Sequence, residues 1–236
     1  MPEPSRTPLL LAVILAMTVP TFGALFYFVI FSGTLLGSVI YTVTKFFILL
    51  WPFIAFRFIE RQRFNAKQLD WSKHIRAVPL GLLSGLVITV LIIGVYQFTS
   101  LGDYVRLFAG TIHSKVEEIG VLNHYFLFGA FMAVIHSLLE EYYWRWYVFG
   151  RLNRLMPPLP AYLLASLAFA GHHYVILGCY FSPWGAFLFG TCVGIGGGFW
   201  CWLYQKQNSL IGIWISHWLV DMTILFIGYM LLFPSF

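Results

Sequence analysis

The sequence predicts an all-α fold, a polytopic transmembrane helix bundle of about seven membrane-spanning helices, or eight if one of the longer runs breaks. Three observations carry that expectation. Hydrophobic residues fill 60% of the 236 positions and charged residues only 10%, where soluble domains carry about a quarter charged residues. Several apolar runs reach the roughly 20 residues that an α-helix needs to cross a hydrocarbon core about 30 Å thick. Apart from Lys45 and Arg145, Lys and Arg gather between these runs or at their ends. A water-soluble fold would have too few polar groups to cover itself, so lipid is the solvent for most side chains.

The first apolar stretch, 9–31, follows Arg6 and resembles a secretory signal. It outruns the roughly 7–15 residues of a signal core, so it reads as an uncleaved first span. Further spans are expected at 35–58, 77–98, 123–149, 159–179, 184–204 and 210–232. With no repeat or linker, residues 1–236 read as one transmembrane domain in which 123–232 carry the chemistry.

Orientation follows from the basic residues. Arg57, Arg61, Arg63, Lys67, Lys73 and Arg76 lie from the end of the second span onward, Arg151 and Arg154 after the fourth, and Lys206 after the sixth. Together with Arg6 they fall on one face, which the positive-inside rule makes cytoplasmic. The amino terminus is therefore expected inside, in a cell (inner) membrane or an endomembrane. This loop placement also explains the net charge of +5 without a nucleic-acid partner.

Between the third and fourth spans, Leu101, Tyr104, Val105, Phe108, Ile112, Val116 and Ile119 recur near helical period, with charged residues between them. That pattern fits a helix lying in the membrane interface. In the sixth span Gly190, Gly194 and Gly198 are spaced by four, which suits close helix packing and, lacking a preceding strand, not a nucleotide loop. Cys179, Cys192 and Cys201 have no metal-ligand spacing and read as packing residues.

Ionisable groups inside the hydrocarbon are the informative letters, since each charge costs about 2.5–3.5 kcal/mol on insertion scales. The internal set is Lys45, His136, Glu140, Glu141, Arg145, His172, His173, His217 and Asp221. Glu141 and Arg145 are four apart and able to pair; Glu140 is turned away by about 100° and has His136 one turn earlier. His217 and Asp221 share a face, whereas His172 and His173 are expected on different faces, with Phe169 one turn before His173. At about 1.5 Å per residue, Glu140 lies roughly 14 Å deep, His173 roughly 21 Å and His217 roughly 11 Å. Scattered structural residues would have no need to agree so closely.

In chain order these residues spell EExxxR at Glu140–Arg145, FxxxH at Phe169–His173 and HxxxD at His217–Asp221. The set resembles the CAAX protease and bacteriocin-processing family of intramembrane peptidases, also called the type II CAAX prenyl endopeptidase or Abi family. The resemblance spans roughly 135–221. It implies a glutamate-dependent endopeptidase with Glu140 activating water, His173 positioning it and His217 stabilising the oxyanion, acting on a membrane-associated or prenylated peptide or protein.

The residues' own chemistry agrees. A carboxylate in a low-dielectric pocket suits a general base, and an imidazole suits an oxyanion. Glu141, held by Arg145, would shape the site. Asp221 stands where a form of the motif carries Asn; an ionised carboxylate repels an oxyanion, so Asp221 is either protonated or keeps His217 cationic. No cofactor is required, and zinc stays open, since two His and one carboxylate can bind it although the HExxH helix is absent. A proton-coupled transporter would use similar residues, and a catalytically inactive scaffold would share the fold.

Overall fold

The computed structural model describes residues 6–63 and 70–233. Among them all regular structure is helical: α1 (Arg6–Ile30), α2 (Leu35–Ile59), α3 (Trp71–Phe98), the short α4 (Ser100–Leu107) and α5 (Ala109–Glu118), then α6 (Leu122–Leu155), α7 (Pro158–Gly178), α8 (Pro183–Gln207) and α9 (Leu210–Leu232). Seven of these are long and apolar enough to cross a membrane. Leu35, Val43, Phe46 and Phe53 on α2 and Leu83 and Val90 on α3 are exposed. Such apolar surface requires lipid around it, and the chain is an integral membrane protein.

The two spans that depart most from the expected bounds, α3 and α6, are both longer than the sequence suggested. Helix α3 starts at Trp71 rather than 77, because its polar first turns find partners: Arg76 Nη2 donates to Ser72 Oγ at 3.1 Å, and His74 Nδ1 meets Ser209 Oγ at 2.8 Å. Helix α6 runs to Leu155 rather than 149, since Arg151 and Arg154 both pair with the buried carboxylate of Glu60 at 2.8 Å. The interfacial segment is two helices rather than one, broken at Phe108 (φ −97°, ψ 8°). No long run among the described residues breaks to give an eighth span. Lys67 and the first five residues lie outside the described residues.

The chain forms two compact units, and it passes from one to the other within α6 between Glu140 and Glu141. The first unit takes residues up to Asp70 and Glu141–Asn208. Here the α8 glycines do what their spacing implied: a Cβ at Gly190 would lie 2.2 Å from the Tyr174 ring, one at Gly194 3.3 Å from Ala170 and one at Gly198 3.0 Å from Ser166 Oγ. Helix α1 is pinned where the Tyr143 hydroxyl donates to the Ala16 carbonyl (2.8 Å) and Trp51 Nε1 to that of Ala12 (3.1 Å). Cys201 is buried as expected and Cys179 half-buried, but Cys192 is exposed, so its reading as a packing residue is corrected.

The second unit takes Trp71–Glu140 and Ser209–Phe236. Its α3 and α9 meet along a seam of small and hydroxylic residues. Ser84 Oγ donates to Ser216 Oγ at 3.1 Å and Thr89 Oγ1 lies 2.9 Å from Thr223 Oγ1. In lipid, interfaces of this kind gain from close backbone approach. A Cβ at Gly81 would sit 2.2 Å from the Gly212 carbonyl oxygen. Gly81→Ala is therefore expected to destabilise the protein by about 1–3 kcal/mol, as overpacking does. Thermal unfolding of the full chain in detergent checks this; an unchanged Tm would contradict the close approach.

Candidate active site

In the second unit the site grows from the irregular middle of α6. Residues Phe131–His136 form wide π-type turns, Ser137–Glu140 return to α geometry, and Glu141–Phe149 widen again. Such turns inside α-helices recur at functional sites because they re-aim side chains. The segment is anchored by Trp214 Nε1 donating to the Val134 carbonyl at 2.9 Å and by the Ser137 hydroxyl donating to Ala133.

Four ionisable side chains of α6 and α9 then line up as imidazole, carboxylate, imidazole, carboxylate. His136 Nε2 lies 3.4 Å from Glu140 Oε1, Glu140 Oε2 lies 3.7 Å from His217 Nε2, and that same nitrogen lies 3.4 Å from Asp221 Oδ1. Glu140 and His217 are buried. Both carboxylates thus approach one nitrogen of one ring. His217 Nε2 has a single proton to offer, and Asp221 is the nearer acceptor. The Glu140–His217 separation exceeds a direct hydrogen bond, and it suits groups that meet through a shared third atom.

In the first unit Glu141 Oε1 and Arg145 Nη1 pair at 3.1 Å, both fully buried. The guanidinium lies 4.3 Å above the Phe169 ring and 5.1 Å from that of Trp200. Position 197 is glycine beside this stack, where a Cβ would come 2.8 Å from Cδ1 of the Phe169 ring on which the guanidinium lies. A buried, stacked, ion-paired Arg is a role lysine cannot fill.

His173 Nδ1 lies 2.9 Å from the Phe169 carbonyl oxygen, and its ring lies edge-on to Phe169, with centroids 4.8 Å apart. Donation from Nδ1 to that carbonyl makes Nε2 the basic nitrogen of the neutral ring. The expectation that His172 and His173 point to different faces is corrected: their centroids are only 4.0 Å apart. The cause is Trp144, on which His172 stacks at 5.6 Å and 3° between planes, drawing it toward its neighbour.

The structure therefore gathers Glu140, His217 and Asp221 in one unit, and Glu141, Arg145 and His173 around Phe169 in the other. His136 belongs with the former, and its place one turn before Glu140 was the available signal. The Glu60, Arg151 and Arg154 cluster had no signal, because partners so distant in sequence have no shared spacing.

Residues 122–223 match the family described as Type II CAAX prenyl endopeptidase Rce1-like. No curated protein and no solved structure matches the chain. Every candidate site residue falls inside the matched stretch, which begins at α6 and ends in α9. Over residues 122–223, from the start of α6 into α9, the chain is similar to the type II CAAX prenyl endopeptidase Rce1-like family.

Proposed function

We propose that this protein is an intramembrane endopeptidase that hydrolyses a peptide bond near the membrane, with Glu140 as the general base. The observation that carries the proposal is the buried Glu140 carboxylate flanked by His136 and His217, with Asp221 on the far side of His217. Glu140 takes a proton from water as the water oxygen attacks the scissile carbonyl carbon. The carbonyl oxygen becomes an oxyanion, stabilised by the positive charge of the His217 ring, whose cationic form Asp221 maintains. Glu140 then returns its proton to the leaving amide nitrogen as the C–N bond breaks. The FxxxH motif assigns His173 to positioning the water, and the Glu141–Arg145 pair leaves Glu141 no part in proton exchange.

By what the family's name says of its members, the substrate class is a prenylated protein tail, and a membrane-anchored peptide is its minimal form. Water activation proceeds without a metal, the HExxH arrangement of zinc peptidases being absent from the sequence. The basic loops support an amino terminus in the cytoplasm.

The test is cleavage of a farnesylated, membrane-anchored peptide by the full chain in detergent or nanodiscs, before and after dialysis against a strong chelator. Cleavage within about twofold of the untreated rate is expected, far less than the several kcal/mol a catalytic metal supplies. Loss on chelation that zinc restores would move water activation to a metal. No cleavage of prenylated or plain peptides, with proton-driven uptake by vesicles instead, would establish the transporter reading.

A further inference from the structure

The first unit contains a cavity that the hydrolytic reading leaves unused. It has a volume of about 310 Å³ and is lined by Trp146, Phe149, Arg151, Asn153, Tyr204 and Asn208 among others. That lies within the range of small-ligand sites, about 300–1,000 Å³. It sits where α6 and α8 end, and exposed Gln205 and Asn208 at its edge open it to the surroundings.

Its central cation is built in. Arg151 is buried; its Nε donates to Glu60 Oε1 (2.8 Å) and its Nη1 to the Trp146 carbonyl (2.7 Å), while Trp146 and Tyr147 flank the guanidinium at 4.4 and 5.0 Å. Among the described residues Nη2 has no hydrogen-bond acceptor, so that edge of the fork is left for a ligand. Arg154, half exposed, takes the other Glu60 oxygen at 2.8 Å. One carboxylate therefore answers two guanidiniums, leaving a surplus positive charge beside the cavity. Arg57, Arg61, Arg63 and Lys206, all exposed, lie at the same ends of α2 and α8 and add to it. The carbonyls at the end of α8 would oppose an anion, but Asn208, in a left-handed conformation (φ 45°), caps Tyr204 with its own N–H.

We propose that this cavity binds a phosphate group, and that its source is the headgroup of an anionic phospholipid. A planar guanidinium with a preset edge is suited to phosphate oxygens. Its aromatic walls and its position at span ends put it at headgroup depth, where Trp and Tyr concentrate and where anionic lipid gathers against basic segments.

The test follows Tm of the full chain in a zwitterionic detergent on adding short-chain phosphatidylglycerol, short-chain phosphatidylcholine or inorganic phosphate. A ligand that binds only the folded protein raises Tm in a saturable way. Phosphatidylglycerol is expected to raise Tm by several degrees and phosphatidylcholine to leave it unchanged. Asn153→Asp places a carboxylate in the lining without touching the Glu60 pairs, and should weaken the apparent affinity about tenfold or more while its unliganded Tm stays at the wild-type value. Arg151→Lys, which keeps the charge but loses the fork, should show the same loss. Equal responses in wild type and Asn153→Asp overturn the site. A response to inorganic phosphate as large as that to the phospholipid overturns the lipid assignment, and equal responses to both phospholipids overturn the role of charge.

Discussion

Replacing Glu140 by glutamine is expected to lower kcat by about two to four orders of magnitude while KM stays near its wild-type value. The amide matches the carboxylate in shape, and its one oxygen can still accept from His136 Nε2, which lies 3.4 Å from Glu140 Oε1. What it loses is the capacity to take a proton from water, a step belonging to the transition state and not to substrate binding. That loss lowers kcat and kcat/KM together. Asp221 is not expected to substitute, since its Oδ1 lies 3.4 Å from the Nε2 nitrogen of His217 and is taken up by that pair. Cleavage of a farnesylated peptide, with Tm of each variant as a check on folding, decides the matter. A folded Glu140→Gln protein that keeps a tenth or more of the wild-type rate would remove Glu140 from the role of base.

The spans could be read from the sequence because hydrocarbon thickness imposes one length on every helix, and Leu210–Leu232 falls where its hydropathy puts it. The ends of α3 and α6 were less legible. Each extends through residues that look polar alone but are satisfied by tertiary partners, His74 by Ser209 and Arg151 by Glu60. Hydropathy records the cost of such residues and not the remote group that offsets it.

At the candidate site, pairs within one helix were legible and pairs between helices were not. The spacing of four in Glu141 and Arg145, His217 and Asp221, and His136 and Glu140 leads in each case to an observed contact. Nothing local foretold that Glu140 and Asp221 would converge on one nitrogen of His217, that Trp144 would pull the His172 ring against His173, or that α6 would widen into π-type turns on both sides of Ser137–Glu140. A π-type turn trades local hydrogen-bond geometry for packing, so its cause lies in the neighbours and not in the segment.

Arg145→Ala is expected to be the most destabilising single change in the first unit, by about 3–5 kcal/mol, because it strands the fully buried Glu141 carboxylate without its counter-charge. It also empties the space between Phe169 and Trp200 that the guanidinium fills. The two contributions separate in a double-mutant cycle. Glu141→Gln paired with Arg145→Met removes both charges and restores apolar volume, so most of the lost stability should return, whereas Arg145→Ala with Glu141→Gln should recover only the charge component. Denaturant unfolding of the full chain in detergent measures both. If Arg145→Ala unfolds within about 1 kcal/mol of wild type, the cost expected of a stranded buried charge is absent, and Glu141 must then be protonated and available for chemistry instead of serving as a fixed negative charge.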